Sequence, residues 1–249
     1  MKLTISLAQM DIALADPEAN LKKAEAWVAE AARRGSDVVV FPEMWTTGFD
    51  WPNLQELAGR SEAVIEEVAA LARKYSVWLN GSLLAPDEMG RPTNSSILFD
   101  PTGRPAGVYR KIHLFSLMDE DAYLAPGRRL TAVETPWGQS GLAICYDLRF
   151  PEMFRAYALQ GVSLVFLPAE WPFPRLAHWQ TLLRARAIEN QMYMVGVNRV
   201  GRDSASHFFG HSAIIDPWGR AVVEGGESEL LLTATVDTGM AAEVREKMT

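Results

Sequence analysis

Gly141-Leu142-Ala143-Ile144-Cys145-Tyr146-Asp147-Leu148-Arg149-Phe150-Pro151-Glu152 holds the single cysteine of a 249-residue chain. Leu142 to Ile144 is an apolar run that delivers the thiol to a polar edge. Phe150-Pro151 then reads as the opening of a helix, because proline suits the first helical position. A thiol at the carboxyl end of a buried strand, just ahead of a helix, sits where open α/β sheets place their chemistry. A lone cysteine is also commonly a small buried hydrophobe, so the rest of the chain must decide between the two uses.

Downstream, Pro151 to Gln160 reads as a helix stopped by Gly161, and Val162 to Leu167 as a strand ending at Pro168. A helix follows from His178 to Asn190 and a strand from Met192 to Asn198. Ala213-Ile214-Ile215 enters the turn Asp216-Pro217-Trp218-Gly219, and Leu230 to Val236 is a last strand. With Leu142 to Cys145 as the first strand of this half, the order resembles that of the preceding half. There, residues 3 to 10 form a strand, and Asp16-Pro17 starts a helix with Leu21, Ala24, Val28 and Ala31 on one face. Val38-Val39-Val40-Phe41 is a continuous apolar strand of the kind buried on both faces. Ser61 is the expected cap of a second helix, with Val64, Ile65, Val68 and Leu71 on its apolar side. Val77 to Leu84, Ile97 to Phe99 and Val108 to Lys111 complete the half.

Ser96-Ile97-Leu98-Phe99-Asp100-Pro101-Thr102-Gly103-Arg104 matches Ser212-Ala213-Ile214-Ile215-Asp216-Pro217-Trp218-Gly219-Arg220 in pattern, at an offset of 116 residues. Asp-Pro-x-Gly is turn chemistry in its own right, but the matching order of elements favours an internal repeat. Each half then builds one sheet with helices outside it. Stacking the bare faces gives a four-layer α-β-β-α sandwich of the α/β class, expected as one domain over residues 1–249.

Hydrophobic residues make up 48% and charged residues 22% of the chain, ordinary for a globular protein, and the formal net charge is −7. That balance argues against nucleic acid or an anionic membrane as partner, since both call for a basic face. One cysteine permits no internal disulfide. The run Leu3 to Met10 is too short and interrupted for a signal peptide, and no stretch approaches a membrane span. The expected location is cytoplasmic.

Three further residues stand at strand ends. Glu43 follows Phe41-Pro42. Pointing to water it is unremarkable; buried, it is a general base with a raised pKa. Lys111 ends the run Gly107-Val108-Tyr109-Arg110. It is either a surface lysine or a fixed positive charge for a thiolate or an oxyanion. Glu120, within Met118-Asp119-Glu120-Asp121, reads alone as part of a solvated acidic loop. His113, His178, His207 and His211 show no metal-ligand spacing on a helix, so no metal is expected. Gly138-Gln139-Ser140-Gly141-Leu142 misses a serine elbow at its last position. No Walker or Gly-x-Gly-x-x-Gly loop is present, so no nucleotide cofactor is implied. Together, Glu, Lys and Cys suit nucleophilic attack on a carbonyl or nitrile carbon.

Phe41-Pro42-Glu43, Tyr109-Arg110-Lys111-Ile112-His113-Leu114-Phe115 and Cys145-Tyr146-Asp147-Leu148-Arg149-Phe150-Pro151-Glu152, in this order, resemble the nitrilase superfamily of carbon–nitrogen hydrolases over essentially the whole chain. The resemblance implies the α-β-β-α sandwich and a catalytic triad of Glu43, Lys111 and Cys145. It adds Glu120, ahead of Pro126-Gly127, as a second glutamate that orients Lys111, and the backbone N–H of Tyr146 as an oxyanion donor. Leu114 to Glu120, Ala169-Glu170-Trp171-Pro172-Phe173-Pro174-Arg175 with His178-Trp179, and Arg186 to Gln191 are closest to the ω-amidase branch, which includes amidases associated with methionine salvage. The implied substrate is a small carboxylated amide resembling 2-oxoglutaramate, cleaved with water through a thioester and without a cofactor. Arg149 and Arg175 are the cations available for its carboxylate, and Trp171 and Phe115 the residues available to wall its aliphatic part. Each also has an ordinary structural use, in ion pairing or packing. Competing readings are a nitrilase or N-carbamoyl amino acid amidohydrolase, and a non-catalytic binding protein on the same fold. The family usually pairs its subunits, so a homodimer or dimer-based oligomer is expected. Family members usually continue past Val244-Arg245-Glu246-Lys247 with a tail near that interface, whereas this sequence stops at Thr249.

Overall fold

Val38, Val39 and Val40 show how the layers are built. In the computed structural model, which describes residues 1–203 and 206–248, all three are fully buried. Val38 and Val40 belong to a core shared with Leu3, Ile5 and Leu7 and, from the other half of the chain, Leu142, Phe166 and Val195. Val39 belongs instead to a core with Leu21, Ala24 and Val28. A β-branched strand buried on both faces fits between a helix layer and a second sheet.

The first half runs β1 (Lys2–Gln9), α1 (Pro17–Arg33), β2 (Val38–Val40), α2 (Leu54–Tyr75), β3 (Trp78–Pro86), β4 (Pro92–Phe99) and β5 (Pro105–Arg110). A 3₁₀ turn at Ser116–Met118 and the short α3 (Glu120–Tyr123) lead onward. The second half begins with β6 (Ala132–Thr135), β7 (Gly138–Leu142), a 3₁₀ turn at Cys145–Arg149, α4 (Pro151–Leu159) and β8 (Leu164–Ala169). It continues with α5 (Leu176–Asn190), β9 (Tyr193–Asn198), β10 (Val200–Arg202), β11 (His207–Phe209), β12 (Ala213–Ile215) and β13 (Ala221–Glu224). The last elements are β14 (Leu230–Asp237) and α6 (Met240–Lys247). Thr249, where the sequence ends, lies outside the described residues.

One six-stranded sheet has the order β14-β1-β2-β3-β4-β5 and a second the order β6-β7-β8-β9-β12-β13, while β10 and β11 pair with each other as a separate antiparallel ribbon. In each six-stranded sheet, three neighbouring strands are parallel, followed by one antiparallel pairing on one side and two successive antiparallel pairings on the other, so that the outermost strand there again runs with the three. The α-β-β-α sandwich and its pseudo-repeat are therefore both present. The sequence echo is a repeat in detail. Asp100 Oδ1 accepts the N–H groups of Thr102 and Arg104 at 2.8 and 3.1 Å, and Asp216 Oδ1 those of Trp218 and Arg220 at 2.8 and 2.9 Å. Gly103 and Gly219 have φ of +78° and +79°, a region glycine enters without steric cost. Both strands entering these turns carry a register shift, at Leu98/Phe99 and Ile214/Ile215.

Two expectations need correction. The strand expected to end at Cys145 ends at Leu142, and the cysteine opens the following 3₁₀ turn. Ser61 does not cap α2; it lies inside a helix that starts at Leu54, and its Oγ donates to the Ala58 carbonyl at 2.7 Å. The buried stripe already includes Leu54 and Leu57, so the helix extends back to them. Among the described residues, no helix is long and apolar enough to cross a membrane.

Candidate active site

Strand direction gathers the chemistry at one end of the sandwich. β2 is parallel to β3, and β5 runs the same way because two antiparallel pairings separate it from β3. Glu43, beyond β2, and Lys111, beyond β5, therefore emerge together. β4 runs the opposite way, so Asn94, near its start, reaches the same end. The other sheet contributes Cys145 past β7 and Glu170 past β8. This is the carboxyl edge at which α/β sheets bind ligands.

Lys111 Nζ donates to Glu43 Oε1 at 2.7 Å and to Glu120 Oε2 at 2.6 Å. Asn94 Nδ2 bridges the same carboxylates, donating to Glu43 Oε1 at 2.7 Å and Glu120 Oε1 at 3.1 Å. Asn94 Oδ1 accepts from Ser82 Oγ at 2.7 Å, which fixes the orientation of the amide. The Phe115 N–H donates to Glu120 Oε2 at 2.6 Å and the Glu170 N–H to Glu43 Oε2 at 2.9 Å. Glu43, Lys111 and Glu120 are each at most 1% exposed. Such burial is tolerable only because every charge meets an opposite charge and further hydrogen bonds. Burial alone would lower the Lys111 pKa, but Glu120 and then Glu43 raise it, so the ammonium is held charged. Burial raises Glu120 against the pull of Lys111.

Cys145 sits on a tight elbow. Its φ is +44°, and Met44, directly after Glu43, has φ of +42°. Neither is glycine, so both hold a left-handed conformation that side chains rarely adopt, next to the reacting groups. Asp147 secures the elbow. Its Oδ2 accepts the Ile144 N–H and the Tyr109 hydroxyl, both at 2.8 Å, and its Oδ1 accepts the His113 N–H at 3.2 Å. The His113 ring, 2.7 Å from that Oδ1 through Nδ1, stacks on Phe150. One buried carboxylate thus ties the cysteine turn to the segment carrying Lys111. Burial pushes the Cys145 thiol well up, Glu43 adds to the rise, and Lys111 opposes it. The resting group is a thiol with an acceptor carboxylate beside it.

Beside Cys145 lies a narrow, partly open cavity. Phe115, Tyr146, Trp171 and Pro172 give it apolar walls, and Arg149 and Arg175 supply cations. The four residues expected to contact a substrate are therefore brought together. The Arg149 guanidinium lies 4.9 Å from the Trp171 ring centre and meets His178 Nδ1 at 3.2 Å. Arg175 lies over Phe115 at 5.7 Å. Among the described residues neither arginine has a carboxylate at ion-pair distance, so the structural ion pair considered for each is not formed.

Asn94, Asp147 and Glu170 escape the sequence reading. Asn94 had a signal in the polar run Thr93-Asn94-Ser95-Ser96, unusual inside a strand buried on both faces. Glu170 follows Leu167-Pro168-Ala169 much as Glu43 follows Phe41-Pro42, and the pseudo-repeat would have pointed to it. Asp147 is a charge two residues past the cysteine whose partners lie 34 and 38 positions away.

A double sheet with a thiol, an ammonium and two carboxylates gathered at one end of its strands is the arrangement of a carbon–nitrogen hydrolase. The family model of that description matches residues 4–246, and the chain belongs to this enzyme family. It is 42% identical to the 2-oxoglutaramate amidase of Bacillus subtilis, over 100% of this chain and 96% of that protein. Omega-amidase NIT2 of Danio rerio is 32% identical over 99% of this chain and 92% of its own length. A mutant of the amidase from Nesterenkonia sp. AN1 superposes with a TM-score of 0.90 at 26% identity, over 99% of this chain and 97% of that one. That structure carries the acetamide moiety of fluoroacetamide added covalently at the active-site cysteine.

Proposed function

We propose that this enzyme is a cysteine-dependent ω-amidase that releases ammonia from the terminal amide of a small 2-oxo dicarboxylic acid, 2-oxoglutaramate first. The observation that carries the reading is the buried Glu43–Lys111–Glu120 cluster beside Cys145, opening onto a cavity that holds two arginines with no carboxylate partner among the described residues. The names of the Bacillus and Danio relatives support the same substrate class.

In this reading Glu43 takes the Cys145 proton as sulfur attacks the amide carbon, since the raised thiol is not ionised beforehand. An ammonium has three N–H donors. Lys111 spends two on Glu43 and Glu120, leaving one for the developing oxyanion beside the Tyr146 N–H. Glu43 passes the proton to the departing nitrogen, and ammonia leaves a thioester on Cys145. Glu43 then takes a proton from water as it attacks that thioester, and the acid departs as the thiol is restored. Glu120 keeps Lys111 charged and aimed. A thiol used in this way must stay reduced, which suits the cytoplasm, and we take the working unit to be a homodimer or dimer-based oligomer.

Ammonia release from a panel of amides, nitriles and carbamoyl amino acids tests the assignment. The ω-amide of a 2-oxo dicarboxylate should exceed a neutral aliphatic amide of equal length in kcat/KM. Replacing the arginine that binds the carboxylate, Arg149→Ala or Arg175→Ala, should raise KM for the acid amide and leave the neutral amide nearly unchanged. No preference for the carboxylated amide would remove the ω-amidase reading and leave the cysteine hydrolase.

A further inference from the structure

Glu170 is a buried carboxylate for which the chemistry above has no use. It stands directly after β8, contributes to the wall of the Cys145 cavity, and its side chain is fully buried. Oε2 accepts from Arg199 Nη1 at 2.8 Å, while Oε1 is buried with no hydrogen-bond partner among the described residues. Arg199 is itself anchored, by Asp203 at 3.2 Å, by the Ile12 carbonyl at 3.2 Å and over the Phe208 ring at 4.3 Å. Glu170 is therefore rigidly seated, with one acceptor oxygen unused. A buried acceptor left empty is costly, and native structures rarely keep one without a purpose.

Counting donors and acceptors shows what would fill it. A primary carboxamide presents one carbonyl and two N–H groups. The carbonyl has Lys111 and the Tyr146 N–H. Both arginines at the cavity are donors only and cannot receive an N–H. Glu43 Oε1 already accepts from Lys111 and Asn94, and Oε2 accepts the Glu170 N–H and has the thiol proton to handle. Glu120 Oε2 is occupied by Lys111 and Phe115, and its Oε1 by Asn94. We infer that Glu170 Oε1 accepts an N–H of the substrate carboxamide and thereby selects primary amides over esters of the same acid, an inference that rests on the amidase reading above. An ester offers no N–H and leaves that oxygen unpaired, the kind of mismatch that discriminates strongly.

The protonation state adds a second handle. Burial raises Glu170 to about 7 against the opposing pull of Arg199. Only the ionised form presents a free acceptor; once protonated at Oε1 it meets the amide N–H donor to donor. The advantage of amide over ester should thus grow as pH rises through about 7.

The experiment compares kcat/KM for 2-oxoglutaramate with that for the ω-methyl ester of the same acid. In the wild-type enzyme the amide-to-ester ratio is expected to rise with pH through neutrality, and a flat ratio overturns the role of Glu170. Glu170→Gln keeps the volume and an oxygen for Arg199 but turns an amino group toward the vacant position. It is expected to lower the ratio about 10- to 100-fold and to abolish its pH dependence. If Glu170 only braces Arg199 or seats its backbone N–H on Glu43, both substrates fall together and the ratio stays constant, which overturns the proposal. The wild-type profile decides even where the variant does not fold. Absence of ammonia release by wild-type enzyme from any amide removes the amidase reading and this role together. A constant ratio in an active enzyme removes this role alone.

Discussion

Lys111 is defined by how its three N–H groups are shared. Two are committed to carboxylates at 2.6 and 2.7 Å, and the ammonium has room for one more short contact. A guanidinium is larger, planar and directs its donors as a fixed fork, so it cannot reproduce that geometry in a site 1% exposed. Lys111→Arg is therefore expected to lower kcat/KM by about a hundredfold or more although the charge is kept. Wild-type rates would show that positive potential alone suffices. Cys145→Ala, which removes the nucleophile, should lose measurable turnover while retaining the wild-type circular dichroism spectrum. Near-normal ammonia release by that variant would end the thioester mechanism.

At the scale of elements, the site depends on turns that hold strand ends in register. Gly127 is the clearest case. Its N–H donates to the Lys111 carbonyl at 2.8 Å, and a Cβ built on it would stand 2.0 Å from the Arg110 carbonyl oxygen. That contact is with backbone, so relief must move the segment carrying Lys111. Gly127→Ala is expected to cost about a hundredfold in kcat/KM, because a shift near 1 Å of a reacting group is that expensive. Unchanged kinetics would mean the segment yields elsewhere. Asp147 serves the other side of the site. Asp147→Ala leaves the Ile144 N–H and the Tyr109 hydroxyl without their acceptor, and urea denaturation should show a loss of about 3 kcal/mol or more.

The same elements explain what could be read beforehand. The uniform apolar run at Val38 to Phe41 and the Asp-Pro-x-Gly-Arg echo are local patterns, and both sheets follow from them. The extent of α2 was misread because Ser61 looks like a cap in isolation, while the stripe through Leu57 and Leu54 decides. β6, β10, β11 and β13 are each three or four residues long, too short to show a period. Glu43, Lys111, Glu120 and Cys145 were reached through strand ends and motif resemblance. Asn94 and Asp147 were not, because their importance lies in partners that only the folded chain brings near. Asn94 meets a glutamate 51 positions away.

For the whole molecule, the pseudo-repeat leaves the two helix layers unequal. The layer outside the second sheet exposes large apolar side chains, with Leu159 of α4 82% and Ile188 of α5 52% accessible. The turn bearing Trp218, itself 43% exposed, lies against Ile188, since a Cβ on Gly219 would come within 2.5 Å of that side chain. α4 and α5 pack together, joined by Arg155 Nη2 donating to the Glu189 carbonyl at 2.7 Å, so Leu159 and Ile188 stand on neighbouring helices of the same layer. If a homodimer forms, this layer is the face expected to carry the contact. A C₂ pairing places the same patch on both partners and covers it without any second complementary surface. The expected mass by light scattering at micromolar concentration is therefore that of a dimer or a multiple of it. The double substitution Leu159→Asp with Ile188→Asp should shift it to the monomer, because each protomer would bring two buried charges to the interface. A wild-type protein of monomer mass would refute the pairing, and a dimer that survives the double substitution would place it on another face.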